Sequence, residues 1–365
     1  MFTDASVISL WRRGVGGKLR VLFLVRKLTG GGAERVTALL CNYFAERGID
    51  VYVYEIDGCS CDYVIGSNVH RMHCHHSSLR ILGIVQKIIG INAVCAKLHP
   101  DYVVSLGLIK YAQWLMIRPK KGLILSERNY PDALYTAHQK KINENQFLRA
   151  KSVVFQTSDA RDCYCEEVRK KGVVIPNPIP TGLPIHDGDR EKRAVTFSRL
   201  EPQKNLALLI ESFSKFHKYH PGWTLEIYGQ GSQKDFLDEK IHELGLSGHA
   251  TIKPFSNDIH RLISKAGMFI SSSDYEGLQN SLIEAMVMGI PCVATDCLGG
   301  GARMITDGGR RGLLVQRGDT AGLADAMSSI ADSDILAQQL SEAGKRLSQE
   351  WSAERILSKW VDLVK

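Results

Sequence analysis

"RVLFLVRKLTGGGAERVTALLCNYFAERGIDVYVYEI", residues 20–56, decides the architecture. After Arg20 come five apolar residues, a run of the length expected for a buried strand. Three glycines break the run. From Ala33 the apolar positions recur with helical spacing until Gly48 supplies a stop. "DVYVYEI" then reads as a second strand. Strand, helix and strand in succession indicate α/β architecture with parallel sheets.

The same alternation continues outward. "SSLRILGIVQKIIGINAVCAKLHP" (77–100) reads as an amphipathic helix closed by Pro100, and its many apolar residues favour a core helix over one that docks on a membrane. "DYVVSL", "GLILSE", "KSVVFQT" and "GVVIPNP" are further strands. The pattern breaks in "PNPIPTGLPIHDGDREKR" (176–193), a Pro/Gly-rich charged segment read as a linker. A second α/β run follows, with strands in "RAVTFSR", "WTLEIYG", "ATIKPF", "GMFISSS" and "PCVAT". The reading is therefore two doubly wound Rossmann-like domains, residues 18–180 and 181–350. The helix in "SAERILSKWVDLVK", within residues 351–365, packs back on the first domain; Ser352 is a candidate cap. Ligands of such sheets sit beyond the carboxyl ends of the strands.

With 365 residues the chain is long enough for two cores, and 44% hydrophobic against 23% charged residues excludes a disordered or fibrous protein. No stretch approaches the ~20 uninterrupted apolar residues of a membrane span. The first 20 residues place their charges after a short apolar segment, the reverse of a secretory signal, so a cytosolic protein is expected. Nine irregularly spaced cysteines fit reduced thiols. Charge is uneven: residues 1–180 hold 25 Lys+Arg against 15 Asp+Glu, residues 181–365 hold 21 against 24. A basic first half facing an anionic partner competes with a basic surface kept for solubility.

Four motifs carry candidate chemistry. In "LTGGGAERV" (28–36), glycines before a helix let backbone N–H groups approach an anion; neither the dinucleotide fingerprint nor a triphosphatase loop is present. In "FSRLEPQKN" (197–205), Arg199 and Lys204 occupy a strand-to-helix loop where a fork and a point charge can clamp a diphosphate. "IYGQGS" (227–232) is a glycine turn after a strand, more often only a turn. "DYEGLQNSLIEAM" (274–286) places Glu276 in a loop and Glu284 in a helix starting near Ser281, where Glu284 either completes a capping box or binds adjacent hydroxyls.

Glu276-x7-Glu284, with "GGGAER", "SRLEPQKN", "YGQG" and "GIPCVATDCLGGG" in order, resembles the retaining GT-B glycosyltransferases of family 4, over most of the chain from about residue 18. "GGGAERV" and "SERNYP" resemble bacterial enzymes that extend lipid-linked oligosaccharides and surface polysaccharides. The resemblance implies a hexose or N-acetylhexosamine moved from a nucleotide-sugar, with UDP expected. It implies that Gly31 and Gly32 approach the donor pyrophosphate and that Arg199 and Lys204 hold it. It also implies that Glu284 grips ribose and that Glu276 orients the sugar. Backbone at Gly277, Leu278 and Gln279, and at Gly229, adds donor contacts. The family's first-domain histidine is absent; Glu127 or Arg128 takes its place, or their loop binds acceptor. A nucleotide-sugar 2-epimerase shares the fold and is the alternative.

No metal or other cofactor is expected: "HRMHCHH" (70–76) lacks zinc-site spacing and reads as a solvated loop, "CSC" and "CYC" read as ordinary thiols, and "DGD" (187–189) lies in the linker. Nucleic-acid binding is not expected, since no recognised module is present. The implied acceptor, a polyprenyl-diphosphate-linked glycan, places the protein peripherally on the inner face of an anionic membrane. Candidate contacts are Arg12, Arg13, Lys18, Arg20, Lys140, Lys141, Arg149 and Lys151.

Overall fold

In a computed structural model, residues 18–59, 61 and 63–365 are described; Arg12 and Arg13 lie outside them. By Cα proximity the chain separates into two compact units. One comprises residues 18–125, 149–151 and 364; the other comprises 126–148, 152–363 and 365.

The opening stretch folds as its pattern predicts. Strand β1 (Arg20–Val25) buries all five of its apolar residues. Gly30 and Gly31 turn the chain with φ of 64° and 43°, left-handed values that glycine adopts without strain. The helix Gly32–Glu46 follows, and Phe44 meets Phe23 edge-on at 5.6 Å. Burying side chains of this size contributes about 1.5–3 kcal/mol each. The chain then returns as β2 (Asp50–Glu55), parallel to β1 with Arg20 opposite Asp50 and Val25 opposite Glu55.

The remaining strands of the first sheet are β3 (Val69–His73), β4 (Tyr102–Leu106), β5 (Gly122–Ser126), β6 (Ser152–Phe155) and β7 (Gly172–Val174), in the order β3-β2-β1-β4-β5-β6-β7. The second sheet runs β10-β9-β8-β11-β12-β13. Its strands are β8 (Glu191–Phe197), β9 (Thr224–Tyr228), β10 (Ala250–Lys253), β11 (Ala266–Ser271), β12 (Cys292–Asp296) and β13 (Leu313–Gln316). β8 pairs in parallel with both β9 and β11, so its strand order reverses direction between β8 and β11. Loops leaving those two strands diverge and leave a crevice at their carboxyl ends. In the first sheet β1, between β2 and β4, marks the same reversal.

Three local expectations need correction, and a fourth gains detail. The helix after β11 is Asn280–Val287, with Gln279 as N-cap and no side-chain cap bond, so the Ser281 capping box does not form. Half of "HRMHCHH" is the edge strand β3 rather than a loop; among the described residues no group of three His, Cys, Asp or Glu is arranged to hold a metal. Asp187 of "DGD" is paired with Lys345 at 2.6 Å. The helix Arg80–Leu98 ends as expected, with His99 left-handed before Pro100, but it is no core helix: Ile81, Val85 and Ile89 are 80%, 45% and 60% exposed. Other signals hold. Asn205, with φ 43°, caps the helix Leu206–His217 through Leu208 N, and Ser352 caps Ala353–Asp362 through Arg355 N.

Candidate functional site

The crevice between β8 and β11 is built from two loops, 198–205 and 272–280. Lys204 ends the 3-10 turn Pro202–Lys204, and its Nζ donates to Oε1 of Glu276 in the other loop. Gln203 Nε2 donates to Glu276 Oε2 at 3.1 Å and to the Tyr275 carbonyl at 2.8 Å. Ser273 Oγ donates to Glu276 Oε1 at 3.1 Å. Backbone bonds brace the pair: Asp274 N donates to Gln203 O at 2.9 Å, and Ser272 Oγ to Lys204 O at 2.9 Å. Asn205 Nδ2 reaches Asp274 Oδ1 at 3.0 Å. Beside Lys204 lies a pocket of about 10 Å³ lined by hydroxyls including Ser198, Ser271, Ser272 and Ser281. That is room for about one water.

The two carboxylates of the motif have different surroundings. Glu276 is buried and accepts three donors, one of them a cation, so its carboxylate is held in place from both oxygens. Glu284 lies in the helix Asn280–Val287, where its Oε2 is 2.9 Å from His260 Nε2. The His260 ring stands perpendicular to Phe197, 6.0 Å away, at the end of β8. Sequence reasoning missed His260 and Gln203. "NDIHRLI" has no motif, and Gln203 was hidden by the charges beside it.

Arg199 is exposed, and among the described residues its side chain bonds Gln203, Nη2 to Oε1 at 3.4 Å. Gly229 leaves no room for a side chain because the Ser198 carbonyl lies against it. Leu278 packs into the apolar core. The Gln279 side chain is held by Ser271 Oγ at 2.8 Å and donates toward Cys297 Sγ at 3.3 Å, leaving only backbone for a ligand. Gly277 lies against Gln156 and the Arg128 carbonyl, whereas Gly299 and Gly301 close on the carbonyls of Glu276 and Gly277. Gly31 and Gly32 belong to the first unit; Tyr63 Oη donates to the Gly31 carbonyl at 2.9 Å.

Glu127 and Arg128 are tied down. Arg128 donates to Asn177 Oδ1, and Asn177 Nδ2 donates to Asn280 Oδ1 at 2.7 Å. Glu127 is fully buried. Its Oε1 accepts from Arg128 N at 2.9 Å, Asn129 N at 3.2 Å and Tyr135 Oη at 3.3 Å, and its Oε2 from Tyr164 Oη at 3.0 Å. Burial pushes this carboxyl up to about 7, against the lowering by these donors. Its side chain thus shapes the loop rather than reaching outward.

A folded value raised from 4.5 to about 7 means that the native state holds the proton more tightly. The stabilisation is complete below about 4.5 and lost as pH rises through about 7, worth about 3 kcal/mol at most. Glu127→Gln keeps an acceptor for the two N–H groups, and Tyr164 can turn its hydroxyl to accept. We expect the Tm of the native protein, relative to this variant, to fall between pH 5 and 8 in paired thermal melts.

Comparison with known proteins accords with this geometry. Residues 186–347 match the family described as Glycosyl transferases group 1. Amylovoran biosynthesis glycosyltransferase AmsD of Erwinia amylovora is 25% identical over 362 residues, covering 94% of this chain and 99% of that one. Lipopolysaccharide core biosynthesis glycosyltransferase LpsE of Rhizobium meliloti is 25% identical over 347 residues, covering 92% and 96%. Among solved structures, Anabaena HepE in complex with UDP and glucose superposes with a TM-score of 0.78 at 18% identity, covering 94% of this chain and 98% of that one. The fold is GT-B, two parallel-sheet Rossmann-like domains, and the two relatives just named are bacterial glycosyltransferases of polysaccharide biosynthesis. Nothing in these likenesses supports the epimerase alternative.

Proposed function

We propose that this chain, a glycosyltransferase of group 1 through its residues 186–347, moves a hexose or N-acetylhexosamine from a UDP-sugar onto a lipid-linked glycan precursor in bacterial polysaccharide synthesis. The observation that carries the reading is the Lys204–Glu276 pair at the strand-order reversal, with Arg199 exposed in the same loop. Breaking the bond between sugar and diphosphate leaves growing negative charge on phosphate oxygen. Lys204 and Arg199 supply fixed positive charge for it, and preorganised charge of this kind commonly does more to lower a reaction barrier than any other effect. Glu276 grips sugar hydroxyls, and Glu284, held by His260, grips those of ribose.

Glu276 has both oxygens engaged by Lys204, Gln203 and Ser273, an arrangement that suits orientation better than attack on carbon. In the retaining scheme that the E-x7-E resemblance implies, the leaving phosphate takes the proton of the incoming hydroxyl on the same face. Fixed cations do the work a metal would do, so no metal is needed.

A thermal-shift series with UDP-sugars, followed by mass spectrometry of products on a polyprenyl-diphosphate acceptor, tests the proposal. UDP at roughly 100 Kd is expected to stabilise the protein by about 2.7 kcal/mol. Sugar transfer is expected to persist in EDTA. Absence of any nucleotide-dependent shift, or loss of transfer on chelation, would overturn it.

A further inference from the structure

The corrected helix Arg80–Leu98 carries a surface the proposed chemistry does not use. One side is committed to the protein. Lys87 Nζ meets Asp57 at 2.6 Å, and Ile91, Cys95 and Leu98 are buried. Asn92 Nδ2 donates to the Trp114 carbonyl at 2.7 Å, and its Oδ1 accepts from Met116 N at 2.8 Å and Ile117 N at 3.1 Å. The other side is an i, i+4 row of Ile81, Val85, Ile89 and Ala93, all exposed, ending in exposed Lys97. Asn92 anchors the segment carrying Met116, 73% exposed, and Ile117, 37% exposed. Soluble surfaces rarely gather so many large apolar groups without a partner.

The charge around this row names the partner. Residues 77–125 contain seven Lys or Arg and a single acid, Asp101. A pocket of about 200 Å³ lies just beyond Met116 and Ile117, lined by Arg118, Lys120, Lys121 and Arg149. By contrast, several basic residues expected to face a membrane are paired internally: Arg20 with Asp50, Lys140 with Asp132, and Lys141 with Glu144. Lys151 is bonded to Tyr102 Oη.

We propose that the Ile81–Val85–Ile89 row, with Met116, Ile117 and the Arg118–Lys121 cations, is a docking surface for an anionic lipid bilayer. Against the sequence expectation that no stretch approaches a span, Ile81–Leu98 is by length and composition apolar enough to cross a membrane, and only 28% of it is buried. The inward bonds of Lys87 and Asn92 instead hold it along the domain. It lies in the interface, its apolar row among acyl chains and its cations at headgroup phosphates. This deepens the lipid-acceptor reading but is independent of the donor chemistry.

Sedimentation of the full-length protein with phosphatidylcholine vesicles, with and without phosphatidylglycerol, tests the surface. Binding is expected only with phosphatidylglycerol and is expected to weaken with added salt. Ile81→Ser/Val85→Ser/Ile89→Ser and Lys120→Glu/Lys121→Glu should each lower partitioning roughly tenfold or more. Both should keep the native Tm without ligand, which shows that they fold and keeps this test apart from that of the donor site. The proposal is overturned if the native protein stays unbound at low salt, or if either variant sediments like the native protein. Conversion of a dimer to a monomer by the triple variant also overturns it, because a second copy would then cover the face.

Discussion

Lys204→Ala is expected to lower kcat by roughly 10²–10³-fold, the usual loss when a preorganised group facing developing charge is removed. KM for the donor should change much less, because the interaction strengthens as the leaving phosphate gains charge. Folding should survive. Glu276 keeps its bonds from Gln203 and Ser273, and the loop keeps the backbone bond from Asp274 N to Gln203 O. Arg199→Ala should act in the same direction with no change in Tm, since this side chain is exposed and its bond to Gln203 is 3.4 Å long. Steady-state kinetics beside thermal melts check both. Near-normal turnover in the two variants would remove the assignment.

Gly301→Ala should instead act through the fold. Gly301 is buried at the start of the short helix Gly301–Ile305, where a methyl group would run into the Gly277 carbonyl. Backbone has to move, since no flexible side chain stands in the way. A cost of about 3 kcal/mol is expected, an overpacking penalty at the upper end of the ordinary range. That corresponds to a drop in Tm of roughly 6–12 °C. The displaced backbone adjoins Glu276, so activity should fall at temperatures where the variant is still folded. Gly308→Ala is the control: φ is 64° but nothing lies within 4 Å of the added atom, leaving only the left-handed strain of about 1–2 kcal/mol. Equal melting of the two variants would refute the packing argument.

Much of the fold was legible because its signals are local. The alternation of apolar runs, glycine turns and helical spacing in residues 20–56 is enough to set parallel strands, and Asn205 caps where a cap is written. The place of Arg199 and Lys204 in a strand-to-helix loop was legible because that loop follows a strand. What escaped the sequence depends on distant partners. Glu127 is silenced by Tyr135 and Tyr164, and no pattern around "SERNYP" announces either hydroxyl. Glu284 answers to His260 rather than to a cap, 24 positions away. In the helix Arg80–Leu98 apolar residues occupy several faces, so periodicity cannot say which row the sheet covers. The correction there came from Asn92, whose bonds fix the inward side.

The bond between Lys204 and Glu276 joins positions 72 residues apart, brought together only when β11 docks beside β8. No hairpin or short excised fragment can assemble that grip, because closing so long a loop is an entropic debt met by the sheet as a whole. On the proposed donor reading, a bound nucleotide would therefore reward the finished domain alone. Its presence during refolding should sharpen recovery of the entire second half in one cooperative step, and a chain cut anywhere between the two strands should be blind to it until the pieces reassociate.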